Sequence, residues 1–119
     1  MVESRRAVER KNLIYYLKAI DAVSGRQVGR LADITTKGAL LICEQAIAKG
    51  TELRLQVALP EKIDGQEAIE FTAVCAFCNV SLNRQFFDVG YRFLHVERKY
   101  IPIIEELMEQ FAFRDSSVS

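Results

Sequence analysis

Asp33-Ile34-Thr35-Thr36-Lys37-Gly38 lies between two apolar runs, Val28 to Ile34 before it and Ala39-Leu40-Leu41-Ile42-Cys43 after it. A short polar stretch between two such runs reads as a turn joining two strands. Each residue type suits that place. A short carboxylate can accept from nearby backbone amides, a hydroxyl does the same more weakly, and glycine accepts a positive φ or a close backbone neighbour.

Working outward, Leu13 to Val23 is rich in aromatic and β-branched residues and predicts a strand. Ser24-Gly25 predicts the turn into the strand that begins at Val28, so the first two strands form a hairpin. On the other side, Lys49-Gly50-Thr51 is a turn, and Glu52 to Leu59 alternates apolar and polar more cleanly than any other stretch. Pro60 lacks the N–H a ladder needs and predicts the end of that strand, with residues 60–68 as a polar loop. Glu70 to Val80 and Phe86 to Leu94 read as two further strands, the latter carrying a Gly90 that marks a bulge or a close backbone approach. From Glu97 to Phe113 the period changes to that of a helix. Ile101, Ile104, Leu107, Met108 and Phe111 form one stripe, and Glu105, Glu106 and Glu109 lie opposite. Pro102 is acceptable in the first turn of such a helix. The pattern is about six short strands with turns every ~8–12 residues, then one helix, which argues a closed barrel or a sandwich. The helix stripe must pack on the barrel or serve as a homodimer face.

Composition sets the class. The 119 residues fit one domain, and 50% hydrophobic with 27% charged residues fits a globular chain. No apolar run approaches the ~20 residues of a membrane helix, and no apolar stretch follows the charged N-terminus as in a signal peptide, so the expected location is the cytoplasm. A formal net charge of zero argues against coating a nucleic acid polymer. A barrel of the OB type on single strands is correspondingly disfavoured, since no basic-aromatic groove pattern is present. The three cysteines, Cys43, Cys75 and Cys78, are an odd count and argue against a disulfide framework. Cys75-Ala76-Phe77-Cys78 matches a metal spacing. On a regular strand, however, residues three apart face opposite ways, so free thiols are expected and no metal site. With a single histidine, His95, and no paired carboxylates in an apolar setting, no acid, base or nucleophile can be assigned, and no enzyme is expected.

Residues 1–12 form a basic arm ahead of residues 13–113, which hold the strands and the helix; residues 114–119 read as a frayed tail. The arm contains Arg5-Arg6-Ala7-Val8-Glu9-Arg10. Arg6 to Arg10 is an R-x-x-x-R pattern, and Asp33 to Gly38 is D-x-[ST]-x-x-G. In that order, on six strands and a helix, with Gly90-Tyr91-Arg92-Phe93 in the closing strand, they resemble the PilZ domain family over roughly residues 5–112. The resemblance implies a mainly β fold: a six-stranded antiparallel β-barrel with a C-terminal α-helix. It also implies a bacterial receptor for the second messenger cyclic di-GMP, with no further cofactor.

Family resemblance assigns Arg6 and Arg10 to the ligand from the arm, and Asp33, Thr35 and Gly38 from the turn. Arg5, just before the first motif, resembles the pattern associated with a stacked ligand dimer. The chemistry suits the residue types. A guanidinium fork matches phosphate and the O6/N7 edge of guanine, and its face stacks on a base. A carboxylate accepts from guanine N–H groups. Where the family most often has Ser this chain has Thr35, which keeps the hydroxyl, adds a methyl and stiffens χ1. Lys37 and Arg92 add charge near the turn but read as solvated surface. The receptor would act on a downstream protein partner, unnamed by the sequence. The alternative is a degenerate PilZ-like interaction module that has kept the fold and lost the ligand.

Overall fold

The computed structural model describes the backbone of residues 17–118 and the side chains of residues 17–110. Six strands are present: β1 (Lys18–Asp21), β2 (Gln27–Ile34), β3 (Gly38–Cys43), β4 (Glu52–Ile63), β5 (Gln66–Val80) and β6 (Phe87–Val96). A 3-10 turn, Arg98–Tyr100, leads into helix α1 (Ile101–Val118). The strands close in the order β1-β2-β3-β6-β5-β4, and every neighbouring pair is antiparallel. Closure gives every strand a neighbour on both sides.

Alternation along the strands fills the interior. Leu31, Leu41, Leu55, Val57, Ile69 and Val89 are wholly buried, and the Phe71 and Phe93 rings sit 4.2 Å apart. Helix α1 packs across β2 and buries Ile103, Ile104 and Leu107 completely. The apolar face is thus used within the chain, and it is wider than the expected stripe, since Ile103 belongs to it. Ile101 and Met108 are half-buried, and Phe111 lies outside the described side chains. Pro102 stands second in the helix, where its missing N–H has no intrahelical partner to lose. Among the described residues no helix is long and apolar enough to cross a membrane.

Three local expectations change. The first strand is shorter than Leu13 to Val23. Its described part ends at Asp21, whose carboxylate accepts from the Val23 amide at 2.9 Å and turns the chain towards Gly25, a residue at φ 77°. The Val23 amide also holds the Asp21 carboxyl below its ordinary value. Pro60 does not end β4, which runs on to Ile63. Pairing with β5 skips from Ala58↔Ala68 to Ile63↔Gln66, so Pro60 sits where the ladder is already interrupted. Residues 60–68 are therefore a hairpin rather than a loop, closed by Asp64 and Gly65, both with positive φ as a two-residue primed turn requires. Finally, β6 runs past the expected end at Leu94 to Val96, so His95 lies within it, exposed and opposite Thr72.

Leu107 tests the packing of α1. Leu107→Ala should cost about 2–5 kcal/mol of unfolding free energy, the range for a fully buried leucine, read as a lower urea midpoint. An exposed control, Glu106→Ala, should change it by under about 0.5 kcal/mol.

Candidate ligand site

The turn between β2 and β3 is held by its own side chains. The Thr35 amide donates to the Gly38 carbonyl at 2.8 Å. The Thr35 hydroxyl accepts from the amides of Lys37 at 3.1 Å and Gly38 at 3.2 Å, and donates to the Gly38 carbonyl at 3.4 Å. Asp33 Oδ1 accepts from the Ile34 amide at 2.8 Å. The Phe93 amide donates to the Lys37 carbonyl at 2.8 Å, which fastens the turn to β6. Gly38 is required by proximity, not by φ: a Cβ there would overlap the Tyr91 carbonyl oxygen across the β3–β6 ladder.

Two one-residue irregularities decide what faces outward. In β2, Leu31 pairs with Leu41 but Asp33 pairs with Leu40, so Ala32 is an extra residue. Leu31 and Ile34 are buried while Asp33 is exposed; without the extra residue, Asp33 would share the inward face of Leu31. In β5, Cys75 pairs with Tyr91 but Phe77 pairs with Gly90, so Ala76 is extra. Cys75 is buried and Phe77 exposed, and Cys78 packs against the core. The expectation that Cys75 and Cys78 face opposite ways fails for this reason: the bulge turns both inward. The Ile47 amide donates to Cys78 Sγ at 3.5 Å, and Cys75 Sγ lies 3.9 Å from the Ile47 carbonyl oxygen. All three cysteines are free thiols, and among the described residues no group of three or more His, Cys, Asp or Glu side chains is arranged to hold a metal.

The outward residues meet in one cavity of about 410 Å³, lined by Asp33, Thr35, Lys37, Gly38, Phe77 and Arg92, among others. Arg92 stands directly opposite Gly38 in the ladder. Phe77 lies over Gly90, its ring in the space a side chain at Gly90 would take. The close approach expected at Gly90 is therefore an aromatic covering a cross-strand glycine, with the bulge in the partner strand. The cavity thus offers a carboxylate, two cations and an aromatic face. Of the residues assigned from the sequence, Asp33, Thr35 and Gly38 line this cavity; Lys37 and Arg92, expected to be solvated surface, line it too, and Phe77 was not singled out. The available signal was an aromatic paired with a strand glycine.

Arg5, Arg6 and Arg10 lie outside the described residues. At the first described residue, the Leu17 carbonyl accepts from the Leu31 amide at 2.9 Å. Lys18 pairs with Arg30 and Ala19 with Gly29, so β1 read backwards advances along β2 towards Asp33. A larger depression of about 980 Å³ is lined by Arg26, Val28, Ile47, Leu53 and Phe86, together with Asp21 and Glu44. Arg30 lines it as well, and of the described motif residues none does.

The family model for the PilZ domain matches residues 4–113. The chain belongs to the PilZ domain family. Solved structures that share the fold include the following two. The Bacillus subtilis inhibitor of motility (MotI/DgrA) superposes with a TM-score of 0.62 at 14% identity, over 84% of this chain and 46% of that one. This chain therefore spans about half the length of that protein. The PilZ domain of YcgR from Escherichia coli, solved with c-di-GMP, superposes with a TM-score of 0.55 at 14% identity, over 87% and 86%. No curated protein matches the sequence. The six-stranded antiparallel barrel with one C-terminal helix is the PilZ fold.

Two outcomes check this local structure. Gly38→Ala should destabilise the PilZ barrel by about 1–3 kcal/mol in urea unfolding, the usual cost of overpacking. Burial also pushes the Cys43 thiol from 9.0 up to about 12, with Cys78 and Cys75 adding to it. Above pH ~9 the unfolded thiol ionises while the folded one stays protonated, so stability should fall as pH rises from there towards 12. Cys43→Ala should be less stable at pH 8 yet lose less between pH 8 and 10.5.

Proposed function

We propose that this PilZ domain is a receptor for cyclic di-GMP, which it binds without turning it over. The ligand lies on the outer barrel face at the Asp33–Gly38 turn, and the arm bearing Arg5, Arg6 and Arg10 closes over it. The observation that carries the reading is the convergence of Asp33, Phe77, Lys37 and Arg92 on one cavity at the end of β2. An anionic ligand with two guanines needs cations for phosphate, a carboxylate for guanine N–H groups and a flat apolar face for stacking. The cavity volume falls in the range of about 300–1,000 Å³ usual for small-ligand sites. Both arginines of R-x-x-x-R contact one ligand from the arm, and Arg5 is available to a second stacked ligand. The neighbour solved with c-di-GMP supports the choice of ligand. Ordering the arm changes the surface around Phe77 and Leu94, which are partly exposed, and a protein partner would read that change.

Titration calorimetry tests the reading. The wild-type chain should give saturable heat, and its melting temperature should rise with ligand, since ligand at 100 times Kd stabilises by about 2.7 kcal/mol. A charge-assisted hydrogen bond contributes about 1.5–3 kcal/mol. Arg6→Ala and Arg10→Ala should each therefore weaken binding about tenfold or more, as 1.4 kcal/mol is a factor of ten. A wild-type chain silent in both measurements contradicts the proposal and favours the degenerate interaction module.

A further inference from the structure

We infer that the outer face of the barrel carries a second base subsite, made by Arg30, Ile42, Asp88 and Asn79, which takes the other guanine of the ligand. The inference rests on the cyclic di-GMP reading and extends it to residues outside both motifs.

Strand register places the four residues in one row. Arg30 pairs with Ile42, Ile42 with Asp88, and Asp88 with Asn79. The adjacent row is Asp33, Leu40, Gly90 and Phe77, paired across the same four strands. Leu31, Leu41 and Val89 stand between the rows along β2, β3 and β6 and are buried, so both rows face outward. The inserted Ala32 makes Arg30 and Asp33 successive outward residues of β2, and Ala76 turns Phe77 and Asn79 to the same face. At roughly 3.3 Å per residue the rows lie about 7 Å apart on β3 and β6. The two hollows adjoin here. Leu40 lines the cavity at the turn, while Arg30 and Ile42 line the larger depression.

A ligand with two like bases needs two sets of base contacts. The first row offers one carboxylate, Asp33, and one aromatic face, Phe77. The second row offers a further set. An arginine fork matches the O6/N7 edge of guanine, and the Asp88 carboxylate accepts from its N1 and 2-amino N–H groups. Half-buried Ile42 supplies an apolar floor, and the Asn79 amide can both donate and accept. Neighbouring strands are about 4.8 Å apart, so Arg30 and Asp88 flank Ile42 with their backbones about 10 Å apart. A base lying flat over Ile42 meets one of them on each side. Arg30 already has an interaction within the protein; a guanidinium carries five N–H donors and can keep it while offering two to a base.

Titration calorimetry with cyclic di-GMP and with its inosine counterpart, which lacks both 2-amino groups, tests the subsite. Arg30→Ala should bind cyclic di-GMP about tenfold more weakly, as should Asp88→Val, which suits a strand and has no acceptor. Arg26 lines the depression and belongs to neither row, so Arg26→Ala should bind like wild type. The inosine ligand should cost wild type about tenfold more affinity than it costs Asp88→Val, since that variant no longer reads one of the two amino groups. A merely structural role for Asp88 would leave the two losses equal, and equal losses overturn the inference. Full-strength binding of cyclic di-GMP by Arg30→Ala overturns it too, and because Arg30 is exposed this arm stands even if Asp88→Val does not fold. A wild-type chain that binds neither ligand removes the receptor reading itself, an outcome visible before any variant is compared.

Discussion

The outward face of the candidate site depends on an extra residue at two places, Ala32 in β2 and Ala76 in β5. A regular strand sends alternate side chains to opposite faces, so Asp33 would follow Leu31 inward and Phe77 would follow Cys75 inward. Ala32 and Ala76 break that alternation. The carboxylate and the ring emerge on the outside of the barrel while Ile34 and Cys78 take the inward places. The alternative would bury an aspartate in an apolar interior, which costs several kcal/mol unless the group is paired or neutralised. Each bulge is anchored locally. The Asp33 carboxylate accepts the next amide in β2, and Cys75 is held through its own N–H to Thr51 and its carbonyl from Gly50, both at 2.8 Å.

Glycines complete what the bulges begin. Gly38 lets β3 lie against the Tyr91 carbonyl, and Gly90 leaves the space that the Phe77 ring occupies. The flat aromatic surface and the turn are thus brought to one cavity by two positions at which no side chain fits. The barrel interior beneath is apolar. The one buried side-chain polar atom without a hydrogen-bond partner among the described residues is the Tyr91 hydroxyl. It lies near the three cysteines, and burial raises its pKa along with those of Cys43 and Cys75. Protonated thiols in such a setting behave as small apolar groups and not as ligands or nucleophiles.

Much of this was legible in the residues. Alternation from Glu52 to Leu59, the apolar run Ala39 to Cys43 and the helical stripe after Glu97 located strands and helix, and the two motifs pointed to the family. What escaped was whatever depends on a single inserted residue. An alanine at a bulge looks like an alanine in a strand, so the facing of Asp33, Phe77 and Cys78 could not be read from period two. Pro60 misled for a related reason. It stops a regular ladder, but here the ladder is already interrupted, and the Asp64-Gly65 pair was the better guide to the hairpin. The placement of Phe77 and Arg92 at the cavity was hidden because it depends on register across β3, β6 and β5, which only the closed barrel defines.

The central claim is that the face built by the two bulges is the one that receives the ligand. It is tested most directly by following backbone amide resonances of the full chain during a cyclic di-GMP titration. The account predicts that Asp33, Lys37, Gly38, Phe77, Gly90 and Arg92 shift together and saturate together, while Arg26, Ile47 and Phe86 around the larger depression stay in place. Shifts confined to that depression, or none at saturating ligand, would contradict it.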